Sequence, residues 1–122
     1  MDSERRANPR LRVYDPVRLY ASGSPKPVET LTKDLAVGGL RSVSTKPFPV
    51  STKLHIELLL PNGQGLINVY GRTAWFRTIP ESDQFELGVA FTEMSDLDKR
   101  RLSAYLLRLA SQTASLQPVL SS

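Results

Sequence analysis

Apolar and polar residues alternate at period two along most of this chain, and only near its end does the period lengthen to that of a helix. Over residues 11–21 Leu11, Val13, Val17 and Leu19 share one parity, which predicts a first strand, with Pro16 requiring an irregularity or an edge. Residues 28–36 read as a second strand. Gly38-Gly39 then supplies a turn, and Leu40 to Thr45 return antiparallel. From Lys53 to Leu60, Leu54, Ile56, Leu58 and Leu60 point inward while His55 and Glu57 point outward. Pro61-Asn62-Gly63 has turn chemistry. The stretch from Leu66 to Ile79 is long enough for one bent strand, with Gly71 as a bulge or a point of close approach, and Phe85, Leu87, Val89 and Phe91 form the last alternation.

Six strands with no helix between any two predict a mainly all-β fold, a six-stranded antiparallel sheet curled into a small barrel, because parallel pairing needs crossovers. One helix follows. Ser95 is placed to cap it, Asp96 and Asp98 suit the positive end of its dipole, and Leu102, Tyr105, Leu106 and Leu109 make an apolar stripe that packs on the barrel. Past Ala110 the residues turn to Ser, Thr, Gln and Pro, so 111–122 is expected to be a disordered tail. The division is therefore an N-terminal arm at 1–10, a barrel plus helix at 11–110, and the tail.

At 122 residues the chain is the size of one ordinary domain. Sixteen Lys and Arg against twelve Asp and Glu give a net charge of +4, and eleven of the bases are arginine, whose planar fork suits phosphates and base edges. An anionic partner is favoured. Leu58-Leu59-Leu60 is the longest purely aliphatic run, far short of the ~20 residues that span a bilayer, so no membrane insertion is expected. The N-terminal residues lack the apolar core of a secretory signal, and there is no cysteine; a cytoplasmic location is the expectation. The one histidine, His55, reads as a solvated neighbour of Glu57, and no metal-ligand or nucleophile–base spacing accompanies it, so neither an enzyme nor a metal site is expected. Binding of single-stranded nucleic acid is disfavoured because four Tyr, four Phe and one Trp fall mostly on core parities, Trp75 included. Lys99-Arg100-Arg101 reads as the solvated face of the helix.

Two segments carry candidate chemistry. Arg5, Arg6, Arg10 and Arg12 crowd the start of the chain, and Pro9 disfavours a helix through them. On extended backbone Arg6 and Arg10 lie roughly 13 Å apart on one side, a two-pronged anion clamp. In Lys33-Asp34-Leu35-Ala36-Val37-Gly38-Gly39-Leu40, Asp34 and Ala36 share a strand face, and Gly38 and Gly39 admit a close approach. A carboxylate at Asp34 accepts the N1–H and exocyclic amine of a guanine, while an arginine fork donates to the O6 and N7 of the same base. The bland readings are a solvated arm and a plain hairpin.

Together the segments resemble the PilZ family, whose signature is Arg-x-x-x-Arg followed some 20 to 30 residues later by Asp/Asn-x-Ser-x-x-Gly. Arg6-Ala7-Asn8-Pro9-Arg10 matches the first half; Asp34 and Gly39 match the second, with Ala36 where the family has serine. Gly71-Arg72-Thr73-Ala74-Trp75-Phe76 and Glu86-Leu87-Gly88-Val89-Ala90-Phe91 resemble the family's Gly-x-Val-x-Trp and Gly-Ile/Val-x-Phe strands. The resemblance covers about residues 4 to 110. It implies a non-enzymatic receptor and adaptor for cyclic di-GMP, a bacterial second messenger, with a protein partner downstream. Arg6 and Arg10 would be the clamp, Arg5 an accessory that accompanies a stacked ligand dimer, Asp34 the guanine acceptor, Ala36 the site of the missing hydroxyl, and Gly38 and Gly39 the close approach. The alternative is a degenerate PilZ-like module that binds no nucleotide and serves protein–protein interaction. The identity of the downstream partner, the number of nucleotides bound and the oligomeric state are left open by the residues.

Overall fold

The computed structural model describes residues 11–61 and 63–121, with side chains described through residue 112; the arm at 1–10 and Asn62 of the predicted turn lie outside the described residues. Within them the order is β1 (Leu11–Arg12), β2 (Pro16–Ala21), β3 (Val28–Ala36), β4 (Gly39–Ser44), β5 (Lys53–Leu60), β6 (Gly65–Thr78), β7 (Phe85–Met94) and α1 (Asp96–Ser121). Every pairing is antiparallel, β2 to β5 to β6 to β7 to β4 to β3, and β3 returns to β2. The result is a closed six-stranded barrel with one extra strand, β1, and a C-terminal helix.

The predicted first strand is two strands. Pro16 has no N–H to give a ladder, and the chain leaves the sheet between Arg12 and Pro16. Thr32 fills the break from β3: its Oγ1 accepts the Asp15 N–H at 3.1 Å and lies 3.3 and 3.4 Å from the Asp15 and Val13 carbonyls, and its own N–H donates to the Asp15 carbonyl at 2.9 Å. β3 thus holds β2 through Val28 to Leu31 and β1 through Asp34 and Leu35.

Inside, Leu19, Ile56, Leu58, Ile67 and Leu87 are fully buried, as the alternation requires, and Leu54 and Leu60 join them. The stripe of α1 closes the core: Leu102, Tyr105 and Leu106 are buried and Leu109 partly so. Ser95 Oγ accepts the Asp98 N–H at 3.1 Å, the expected cap. Arg101 differs from expectation. Instead of facing solvent with Lys99 and Arg100 it donates to the carbonyls of Gln64 and Leu66 and to Asp98, tying α1 to the β5–β6 turn. The helix also extends beyond Ala110, the predicted boundary, its backbone helical to Ser121; no glycine follows Gly88 to provide a left-handed C-cap.

One polar contact crosses from helix to barrel. The Tyr105 hydroxyl donates to Asp15 Oδ2 at 2.6 Å in a buried setting. Burial pushes the Asp15 carboxyl above its ordinary value, and the Tyr105 hydrogen bond only partly offsets this; the Tyr105 hydroxyl is pushed well above the usual phenol range by burial and then by Asp15. Because the folded carboxyl titrates above the unfolded one, its contribution to stability is complete below the unfolded pKa and is lost as pH rises through the folded value. Tyr105→Phe removes the group that steadies the anion. It is expected to cost about 1–3 kcal/mol at pH 7. The cost shrinks in acid, where Asp15 is protonated, and urea denaturation of both proteins across that range checks the convergence.

Candidate ligand-binding site

On the outside of the barrel β3, β4, β6 and β7 surround a cavity of about 460 Å³ lined by Asp34, Gly38, Arg41, Trp75, Gly88 and their neighbours. The β3–β4 hairpin sets its chemistry. Ala36 pairs with Gly39 across the two-residue turn Val37–Gly38, so Leu35 meets Leu40 and Asp34 meets Arg41. The turn falls one residue earlier than Gly38-Gly39 predicts, because Gly39 is needed within β4: a Cβ there would collide with the Val89 carbonyl of β7. Gly39 therefore serves strand packing, whereas Gly38 faces open space at the cavity.

Asp34, only 6 % exposed, is ion-paired with Arg41, whose Nε lies 2.9 Å from Oδ2; Arg41 Nη1 reaches Glu86 Oε2 at 3.4 Å. Glu86 also accepts from Lys33 Nζ at 3.2 Å and from Arg77 Nε and Nη2 at 2.9 and 2.6 Å. Burial raises the Glu86 carboxyl, but the hydrogen bonds from Arg77 and Lys33 outweigh it and hold it below the ordinary range. Three cations thus surround two buried carboxylates, and the local excess is positive.

Trp75 is 39 % exposed, not the core residue that strict alternation predicts. A register shift between Thr73 and Trp75 is the reason: Thr73 stays buried and the extra residue turns Trp75 outward. Its indole lies against the Cα of Gly88, where any Cβ would overlap the ring, and the Arg77 guanidinium sits 5.6 Å from the ring centroid. Tyr14 and Tyr70 are exposed as well.

Among the sequence candidates, Asp34 and Gly38 line the cavity. Ala36 is 5 % exposed at the end of β3 and does not line it. Arg5, Arg6 and Arg10 lie outside the described residues. The sequence reading missed Arg41 and Trp75; counting the hairpin register back from Gly39 would have found the first, whereas nothing local announces the bulge that exposes the second. A buried acceptor, a guanidinium fork and an aromatic surface in one groove suit a planar heterocycle with N–H donors and an attached anion. Among the described residues no cluster of three metal-ligating side chains occurs, and no helix is long and apolar enough to cross a membrane.

The model of the PilZ domain matches residues 4–108, and the chain belongs to that family, which as a family is one of non-enzymatic cyclic di-GMP receptors. No curated protein matches the chain by sequence. Solved structures agree on the fold. The Bacillus subtilis inhibitor of motility, MotI/DgrA, superimposes with a TM-score of 0.75 at 19% identity, over 88% of this chain and 52% of that one. The K. pneumonia MrkH–c-di-GMP complex gives 0.75 at 19% identity over 88% and 53%. The PilZ domain of YcgR from Escherichia coli with c-di-GMP gives 0.67 at 17% identity over 91% and 98%. This chain spans about half the length of MotI/DgrA and MrkH.

Gly88→Ala tests how Trp75 is seated. The added methyl is expected to displace the indole, and since Trp75 is the single tryptophan its emission reports this directly, shifting to the red in a protein that remains folded. Unchanged emission contradicts the packing described.

Proposed function

We propose that the protein is a non-enzymatic cyclic di-GMP receptor and adaptor whose arginine-bearing N-terminal segment closes over the β3/β4/β6/β7 cavity, and whose liganded form signals through a protein partner. The observation that carries this reading is the register of β1. Arg12 pairs with Asp34 and Leu11 with Leu35, so the chain leading to Arg10 enters the described structure at the strand that bears the guanine acceptor. One peptide link, ~3.8 Å, separates Arg10 from Leu11. Arg6 and Arg10 supply phosphate and base-edge contacts, with Arg5 beside them; Asp34 accepts from a guanine, Arg41 keeps that carboxylate oriented, and Trp75 offers a stacking surface. Gly38 leaves the approach open.

Ala36 favours a second reading, a PilZ module that has lost the nucleotide and only binds protein. Isothermal titration with cyclic di-GMP at moderate salt decides between them. The receptor reading expects micromolar or tighter binding, quenching of Trp75 emission on saturation, and loss of at least about tenfold in affinity for Arg10→Ala and for Asp34→Ala. Arg10→Lys is also expected to bind poorly, because an ammonium makes no bidentate contact. Absence of heat at micromolar protein would overturn the receptor reading and favour the second.

A further inference from the structure

The barrel carries a second, separate surface on the outward faces of β2, β5 and β6. Register stacks its side chains in rows. Tyr20 pairs with His55 and His55 with Tyr70, and their rings stack with centroids 5.5 and 5.0 Å apart and planes tilted by 25° and 26°. His55 is therefore not the solvated partner of Glu57 that the sequence predicts; it is half-buried between two tyrosines and hydrogen-bonded to Asn68 at 3.1 Å. Beside this ladder, toward the Ser22–Gly23–Ser24 turn, lies a cavity of about 400 Å³ with Lys53 on its wall.

In the next row Lys53 pairs with Arg72. Two exposed cations directly opposite on adjacent strands repel. Neither has an anionic partner among the described residues; their along-strand outward neighbours Ser51, His55, Tyr70 and Ala74 carry no negative charge, and Glu93, opposite Tyr70 in the adjoining row, is ion-paired with neither. The other clustered bases of the barrel are neutralised: Arg18 by Glu29 and Glu57, and Arg41, Arg77 and Lys33 by Asp34 and Glu86. An anionic occupant would offset the repulsion that the fold leaves standing here.

The ladder decides what kind of anion. Single-stranded nucleic acid binds on open ring faces. Here His55 has both faces covered and Tyr20 and Tyr70 one each, so the ladder presents mainly edges and, in Tyr70, a phenol in a half-exposed side chain. Ring edges and the Tyr70 hydroxyl beside an apolar recess suit a polypeptide, the Tyr20 hydroxyl being engaged by Glu57 at 3.2 Å, and aromatic residues are enriched where proteins meet. We infer that this face binds an acidic segment of a partner protein, its carboxylates on Lys53 and Arg72 and an apolar or aromatic side chain in the cavity against Tyr20, His55 and Tyr70. The inference gives a surface and a chemistry to the partner of the proposed adaptor, and rests on that reading only for the existence of a partner.

The test uses the full chain and a fluorescent random copolymer of glutamate and tyrosine, followed by anisotropy, with polyglutamate, polylysine and oligothymidylate as comparisons. The copolymer is expected to bind more tightly than polyglutamate, and polylysine not at all. Lys53→Glu and Tyr70→Ala each weaken it about tenfold or more, while Asp34→Ala, which disables the nucleotide cavity, leaves it bound. Lys53→Glu is also expected to raise the Tm by about 1–4 °C, since it replaces a repulsive cross-strand pair by an attractive one. Cyclic di-GMP titration of Lys53→Glu is expected to match that of the unmodified protein, so a failure of the receptor reading appears in that titration and not in the copolymer data. Copolymer binding that is absent or indifferent to Lys53→Glu, oligothymidylate binding more tightly than the copolymer, or a Tm that does not rise would each overturn the inference.

Discussion

Strand β3 has more neighbours than a strand of nine residues ordinarily serves, and the architecture depends on how they share it. One edge is taken by β2 and then by β1; the other is taken by β4, and that double use closes the barrel. The join between β2 and β1 would leave buried backbone groups without partners, a cost of a few kcal/mol for each. Thr32 removes it by supplying a hydroxyl at the break, fully buried, in contact with Asp15 and Val13 at once. Asp15, fixed there, receives Tyr105 from the helix, so the same break anchors α1 and sets Leu11 and Arg12 beside Leu35 and Asp34.

The cavity side of the barrel is electrostatically expensive in a second way. Asp34 and Glu86 are both buried carboxylates, and a buried charge left without a partner is costly. Arg77 and Lys33 hold Glu86 ionised, and Arg41 bridges it to Asp34. Such networks contribute little net stability because desolvation consumes most of the Coulombic gain. What they provide is a fixed orientation, here of a hydrogen-bond acceptor at the wall of a groove whose other wall is an indole held against a glycine.

Charge is thus treated differently on the two faces. Around Glu86 each base has its carboxylate; on the β5–β6 face Lys53 and Arg72 are set opposite each other without one among the described residues. The first arrangement organises a site within the molecule. The second leaves an attraction unspent, which only something from outside the described residues can satisfy.

The sequence by itself determined the barrel, the helix stripe and the core, because side chains that alternate at period two or recur at helical spacing have one buried face whatever else happens. It also made Asp34 visible as an acceptor and Gly71 as a point where backbones meet. Tertiary structure decided the rest, and always through register. One residue's difference in the β3–β4 turn set Arg41 opposite Asp34; one extra residue in β6 turned Trp75 outward; and pairing across three strands stacked Tyr20, His55 and Tyr70. Local pattern says which face a residue occupies, but which residues share that face depends on strands brought together from far along the chain, and a shift of a single position changes every neighbour.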